Sequence, residues 1–276
     1  MKKKHSIRSC FWTSEDVSFM AKFGFQVKEN EFSRIVLDED DTYEQIHARF
    51  LGNEYFFDNI FFEYDKEDVF TSDYCVMNPL GGGGYPQPEG TWYESKKDFF
   101  DMSEFCWGCG ANKVQTQDFR INKISKKPVW GFTAWIGDVL FTTEDFYKEV
   151  FEPLGIGCRT VRRTSGKIYS GILQLVIPVI DENLDMSMHM DREICPVCGD
   201  IKFGAKDFYP FFPLPEHPLP HIFLTKEHFG YGHEAFRRTI VSRELVQILL
   251  KNKVTRFDNL IPCRRNLSDY LKTIKY

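Results

Sequence analysis

The spacing of apolar residues divides the chain into short strands, a few short helices and loops. Arg34-Ile35-Val36-Leu37 and the aromatic-rich stretch 55–64 are brief apolar runs that predict strands. Between them, residues 42–51 place Tyr43, Ile46 and Phe50 on one face of a short helix. Residues 77–90 predict a loop near a boundary, because Gly81-Gly82-Gly83-Gly84 is followed by Pro86, Pro88 and Gly90. It is no phosphate loop, since no Gly-Lys-Ser/Thr follows.

Further on, one pattern occurs twice. Gly137-Asp138-Val139-Leu140-Phe141 predicts a strand, Thr142-Thr143-Glu144-Asp145 a helix start, and Phe146, Val150 and Leu154 the buried face of that helix. The helix breaks at Pro153-Leu154-Gly155, and a strand follows over 158–162. One hundred residues later, Arg238-Thr239-Ile240-Val241 is a strand and Ser242-Arg243-Glu244 a helix start. Leu245, Ile248, Leu249 and Asn252 complete an amphipathic helix before a strand at 257–261. A Ser or Thr at the cap, with an acid just inside, satisfies the free N–H groups and suits the helix dipole. Between the two copies, the apolar run Gly171–Ile177 within 168–180 predicts a central strand. The fold class expected is therefore α+β, a mixed or antiparallel sheet with a few helices. It has an aromatic-rich N-terminal region (1–98) and a second domain (99–276).

Composition narrows the setting. With 276 residues, 42% hydrophobic and 27% charged, the chain has the make-up of a globular protein. No apolar run approaches the roughly 20 residues of a membrane span. The start is basic, but residues 11–25 are interrupted by Glu15, Asp16 and Lys22, a poor signal peptide. Charge is uneven: residues 1–105 hold 21 Asp and Glu against 11 Lys and Arg, the remainder 19 against 24. The acidic half is either solvated loop surface or a face that attracts a basic protein, and its charge would repel nucleic acid.

The cysteines carry the chemistry. Cys106-Trp107-Gly108-Cys109-Gly110 and Cys195-Pro196-Val197-Cys198-Gly199 are two Cys-x-x-Cys-Gly knuckles. Two thiolates two residues apart can face one ion, and a second pair completes a tetrahedral site. The glycine after each pair can take the left-handed conformation that turns backbone N–H groups toward sulfur. Cys106, Cys109, Cys195 and Cys198 are thus predicted to ligate structural Zn2+, a ribbon made of two distant knuckles. The 85 residues between Cys109 and Cys195 are no obstacle. A loop about five times the usual length costs only about 1.4 kcal/mol more to close. Structural zinc contributes roughly 10–16 kcal/mol. Iron in a rubredoxin-like site, dithiol redox chemistry, or unrelated cysteines without metal are the alternatives; the glycines disfavour the helix that a redox pair normally opens. Paired knuckles and a missing signal place the chain in a reducing cytoplasm. Cys10, Cys75, Cys158 and Cys263 are expected to be small buried hydrophobes, and Trp107, Trp130 and Trp135 core aromatics. His217, His221, His228 and His233 lie close in sequence, but Pro218 and Pro220 exclude a helical ligand pair; His189 belongs to the approach to the second knuckle. No nucleophile elbow, Walker loop, dinucleotide fingerprint or His-Glu-x-x-His appears, so no catalytic residue is assigned.

The two knuckles split by a long α/β insertion, followed by Thr239-Ile240-Val241-Ser242-Arg243-Glu244-Leu245 and a tail to Pro262, resemble the bacterial double-CXXCG motif family. That family is a myxobacterial paralogous group associated with immunity to polymorphic toxins. The resemblance implies a cytoplasmic, non-catalytic, zinc-stabilised protein-binding module that occludes a cognate toxin. A basic toxin would suit the acidic surface, which would speed its capture. The rival readings are a zinc ribbon working with nucleic acid or the transcription machinery, and an enzyme with a structural zinc. A pI near 5.9 and the short basic patches Arg159-Thr160-Val161-Arg162-Arg163 and Arg264-Arg265 argue against the first.

Overall fold

The computed structural model describes residues 2–78, 80–91, 96–132, 136–186, 192–204, 214–215 and 217–263. The chain forms two compact units that meet between Asp68 and Val69. Helices are few and most strand pairings are antiparallel, as the α+β reading expects. Among the described residues, no helix is long and apolar enough to cross a membrane.

The smaller unit is a three-stranded antiparallel sheet with β1 (Lys2–Ser9) between β2 (Ser33–Asp38) and β3 (Phe57–Glu63). Period-two alternation sets its faces. Ile35 and Leu37 point inward with Ile7, while Val36 lies on the exposed face with Arg34 and Asp38. The inner face packs on α1 (Ser14–Ala21) and α2 (Asp41–Phe50) through Trp12, Met20, Ile46 and Phe50. Thr13 and Asp16 form a reciprocal capping box at the start of α1, and Asp40 accepts N–H bonds from Thr42 and Tyr43 at the start of α2. Tyr43 also stacks on buried His5, and its hydroxyl donates to Asp58 at 2.8 Å, tying α2 to β1 and β3.

A short helix, α3 (Lys66–Thr71), spans the join and leads into β4 (Tyr74–Met77) of the larger unit. The elements that follow are β5 (Phe100–Asp101), β6 (Val114–Gln115), β7 (Arg120–Ile121), β8 (Val129–Gly131), β9 (Leu140–Thr143) and α4 (Glu144–Phe146). A π-helical segment, Tyr147–Phe151, continues α4 before β10 (Gly157–Arg163) and β11 (Ile168–Val176). Then come β12 (Arg192–Ile194), β13 (Ile201–Phe203), β14 (Ile222–Leu224), β15 (His228–Phe229) and β16 (Thr239–Ser242). The chain goes on through α5 (Arg243–Lys251) and a 3-10 turn, Phe257–Asn259, to β17 (Leu260–Pro262).

The sequence repeat is also a repeat of topology. In a five-stranded sheet ordered β7-β10-β11-β9-β8, β9 and β10 lie on either side of β11 and antiparallel to it. In a four-stranded sheet ordered β14-β16-β4-β17, β16 and β17 lie in the same way on either side of β4. Each flanking pair is joined through a capped helix: Thr143 accepts from the Phe146 N–H, and Ser242 from the Leu245 N–H. Both helices contribute to one apolar core, with Phe146, Val150 and Phe151 beside Leu245, Val246 and Leu249. A second core gathers Trp130, Phe119, Phe132 and Phe141. β11 is central, as its apolar run predicted.

The structure refines three boundaries. The strand before α4 starts at Leu140 rather than Gly137, since 137–138 form a turn. The first repeat's helix is mostly π-helical, with the Glu152 N–H donating to the Tyr147 carbonyl. The last strand begins only at Leu260, after the 3-10 turn.

Candidate metal centre

Each knuckle is a tight turn closed by its own backbone. The Gly110 N–H donates to the Cys106 carbonyl at 2.7 Å and the Gly199 N–H to the Cys195 carbonyl at 2.9 Å. Both glycines take positive φ, +80° and +76°, as the motif requires. The Val197 N–H points at the Cys195 sulfur, 3.4 Å away. Gly108 lets the knuckles meet, because a Cβ there would lie 3.1 Å from Cys195 Sγ and 2.7 Å from Val197.

The four thiols converge. Cys106 and Cys195 have their sulfurs 3.7 Å apart, as do Cys109 and Cys198, and all four sulfurs lie within 4.8 Å of one another. A zinc ion bound at about 2.3 Å by four thiolates requires sulfur–sulfur edges of about 3.8 Å. A disulfide requires about 2.05 Å, and none of the eight cysteines forms one. The cluster therefore has the size and donor chemistry of a tetrahedral thiolate site. Cys106, Cys109 and Cys195 are buried and Cys198 is exposed. Ala111 and Ala235 pack against the buried three. Backbone N–H groups of Cys198 and Val197 hold the Cys195 thiol down at about 7, whereas burial pushes Cys109 up. A cation among four sulfurs would favour the thiolate of each.

The support around the knuckles comes from distant parts of the chain. The second knuckle is the turn between β12 and β13, which pair from Arg192↔Phe203 to Ile194↔Ile201. Fully buried Lys202 donates from Nζ to the Gly232 and Glu234 carbonyls and lies 3.5 Å from Glu193. It thereby holds the 232–234 loop, whose His233 carbonyl abuts Gly110 and whose His233 ring bonds the Trp107 carbonyl. Asp200, directly after the second knuckle, accepts the Cys195 N–H on its carbonyl and pairs through its carboxylate with His228 Nδ1 at 2.8 Å. The loop after the first knuckle carries Lys113, which pairs with Asp138.

The remaining predicted residues go elsewhere. His217 pairs with Glu182, His221 with Ser242 and His228 with Asp200, so these histidines do not converge. Among the described residues, the four cysteines are the cluster able to hold a metal. Trp130 is a core residue, but Trp107 is 37% exposed, with Lys97 over its ring, which corrects its reading as core. Cys75 and Cys263 are buried as expected; Cys10 and Cys158 are exposed, contrary to expectation. Trp135, His189 and Arg264-Arg265 lie outside the described residues. Sequence reasoning missed Lys202, whose only local signal is its place three residues after Gly199. No family model, curated protein or solved structure matches the chain.

Proposed function

We propose that Cys106, Cys109, Cys195 and Cys198 hold one structural zinc ion, and that the stapled chain is a non-catalytic protein-binding module. In this reading it is a cytoplasmic immunity protein that neutralises a cognate bacterial toxin by covering it. The observation that carries the zinc assignment is the four-sulfur cluster itself, whose spacing suits a tetrahedral ion. Four thiolates leave the ion no open position for a substrate, so zinc would supply rigidity and not reactivity. The protein's own groups do the rest: the knuckle N–H groups orient the sulfurs, and Lys202 and His233 brace one knuckle against the other.

The binding role is supported by the double-CXXCG resemblance and by the character of the smaller unit. Its first 68 residues hold 15 Asp and Glu against 9 Lys and Arg. Phe11, Phe32, Tyr55 and Phe57 are exposed there, at 45–68% of their surfaces. Aromatic anchors among acids suit a basic protein partner. The test is a tagged pull-down from the native host, with mass spectrometry of the bound fraction and a salt titration. A single stoichiometric toxin-like partner, released by salt, is the expected result. Recovery of nucleic acid or polymerase subunits would replace the reading with the zinc-ribbon rival, and a partnerless protein would turn attention to an enzyme.

A further inference from the structure

A cavity of about 410 Å³ opens in the larger unit, between the segment after the first knuckle and the strands after the second. That volume lies in the range of small-molecule sites, about 300–1,000 Å³. Its wall contains five ionisable side chains, Lys113, Asp138, His228, Arg237 and Glu104. The first three keep only 7%, 12% and 8% of their side-chain surface exposed. Charged groups are seldom buried so deeply unless they are paired.

The pairing is uneven. Asp138 is taken by Lys113, whose Nζ lies 3.2 Å from both of its carboxylate oxygens. Asp200, behind the wall, is taken by His228 at 2.8 Å. Arg237 has no such partner. Its Nη1 donates to the carbonyls of Thr225 and Lys226, and among the described residues no carboxylate lies within ion-pair distance of it. Burial disfavours its charge, which Asp138, Asp200 and Glu227 offset only from beyond ion-pair distance. Glu104, also in the wall, is exposed, so water and salt screen it.

We propose that this cavity binds a small molecule bearing an oxyanion, a carboxylate or phosphate, which pairs with Arg237. A guanidinium with free edges matches either group through two parallel hydrogen bonds. His228 adds a second point of recognition. With Asp200 accepting from Nδ1–H, its Nε2 is an acceptor, suited to a ligand hydroxyl or amide. Asn112, also in the wall, takes an uncommon positive φ of 61° and supplies a side-chain amide. The ligand class is thus a small anionic metabolite with a hydroxyl or amide beside the anionic group. The proposal does not rest on toxin binding, and the anion would be held by Arg237 and His228, not by the zinc.

The test is calorimetric titration of the full, zinc-loaded chain with sulfate and with succinate, which represent the phosphate and carboxylate classes and bind zinc weakly. Saturable binding is expected for at least one, and the one that binds identifies the class. Arg237→Gln should weaken it by about tenfold or more, the value of a charge-assisted hydrogen bond. Zinc content, measured on the same samples, should stay unchanged, while the lost bonds to the Thr225 and Lys226 carbonyls lower the melting temperature. Arg256→Gln, at an exposed arginine paired with Asp258, should leave the affinity as it was. Should Arg237→Gln not fold, nitrogen NMR of the Arg237 guanidinium in the unaltered chain decides, by shifting with added anion or failing to. Absence of saturable binding, equal affinity in Arg237→Gln, or an unmoved Arg237 resonance would overturn the proposal.

Discussion

At the scale of single residues, the knuckles were legible because their information is local: two cysteines, two spacers and a glycine. The two glycines are not equivalent, and the difference is measurable. Gly199 has open space where a Cβ would go, so Gly199→Ala should cost only the left-handed strain of about 1–2 kcal/mol. At Gly110 a Cβ would collide with the His233 carbonyl oxygen as well, so Gly110→Ala should cost clearly more than Gly199→Ala in denaturant unfolding. Cys106→Ser and Cys195→Ser should each lose the metal, and with it much of the roughly 10–16 kcal/mol a structural zinc contributes. Metal analysis and melting curves check this. Zinc affinity should also depend on pH. The ligands bind as thiolates, and the Cys195 thiol is held at about 7, below its ordinary 9.0. The stabilisation from that thiolate is present above pH 9 and is lost as pH falls through 7, so competition titrations should show affinity dropping on acidification. Lys202 and Arg237 were not legible, because what distinguishes them is contact with the 225–234 segment, which the sequence does not place beside them.

At the scale of elements, the capped helices and the central strand followed from their patterns, since cap, periodicity and apolar run are all short-range signals. Ser242 is the clearest case. Its hydroxyl accepts from the Leu245 N–H and also meets His221 Nδ1 at 2.9 Å, joining α5 to the segment before β14. Ser242→Ala should therefore destabilise the larger unit by about 1–2 kcal/mol, and Thr143→Ala by about 1 kcal/mol or less, its cap bond being long at 3.4 Å. Chemical denaturation measures both. The π-helical turn at Tyr147–Phe151 was not legible, because its apolar spacing reads equally well as an α-helix. Nor was the partnership of β4 with β16 and β17, which rests on pairings across more than 160 residues.

At the scale of the whole molecule, the α+β class was legible and the sheet plan was not, since among the described residues pairings such as β7 with β10, β13 with β15 and β4 with β16 and β17 join strands far apart in sequence. The two units have separate cores, one around Ile7, Trp12 and Ile46, the other around Leu245 and Phe151. Removing zinc should thus act unevenly. Hydrogen exchange after chelation should rise at 104–115 and 192–236, while β1 and β3 stay protected; a uniform rise would contradict the staple's local reach. The central claim, one zinc ion held by four thiolates from two distant knuckles, is tested most directly by X-ray absorption at the zinc edge on protein purified without added metal. The account predicts one zinc per chain with four sulfur neighbours at about 2.3 Å. A metal-free protein, iron at the site, or nitrogen or oxygen in the coordination shell would contradict it.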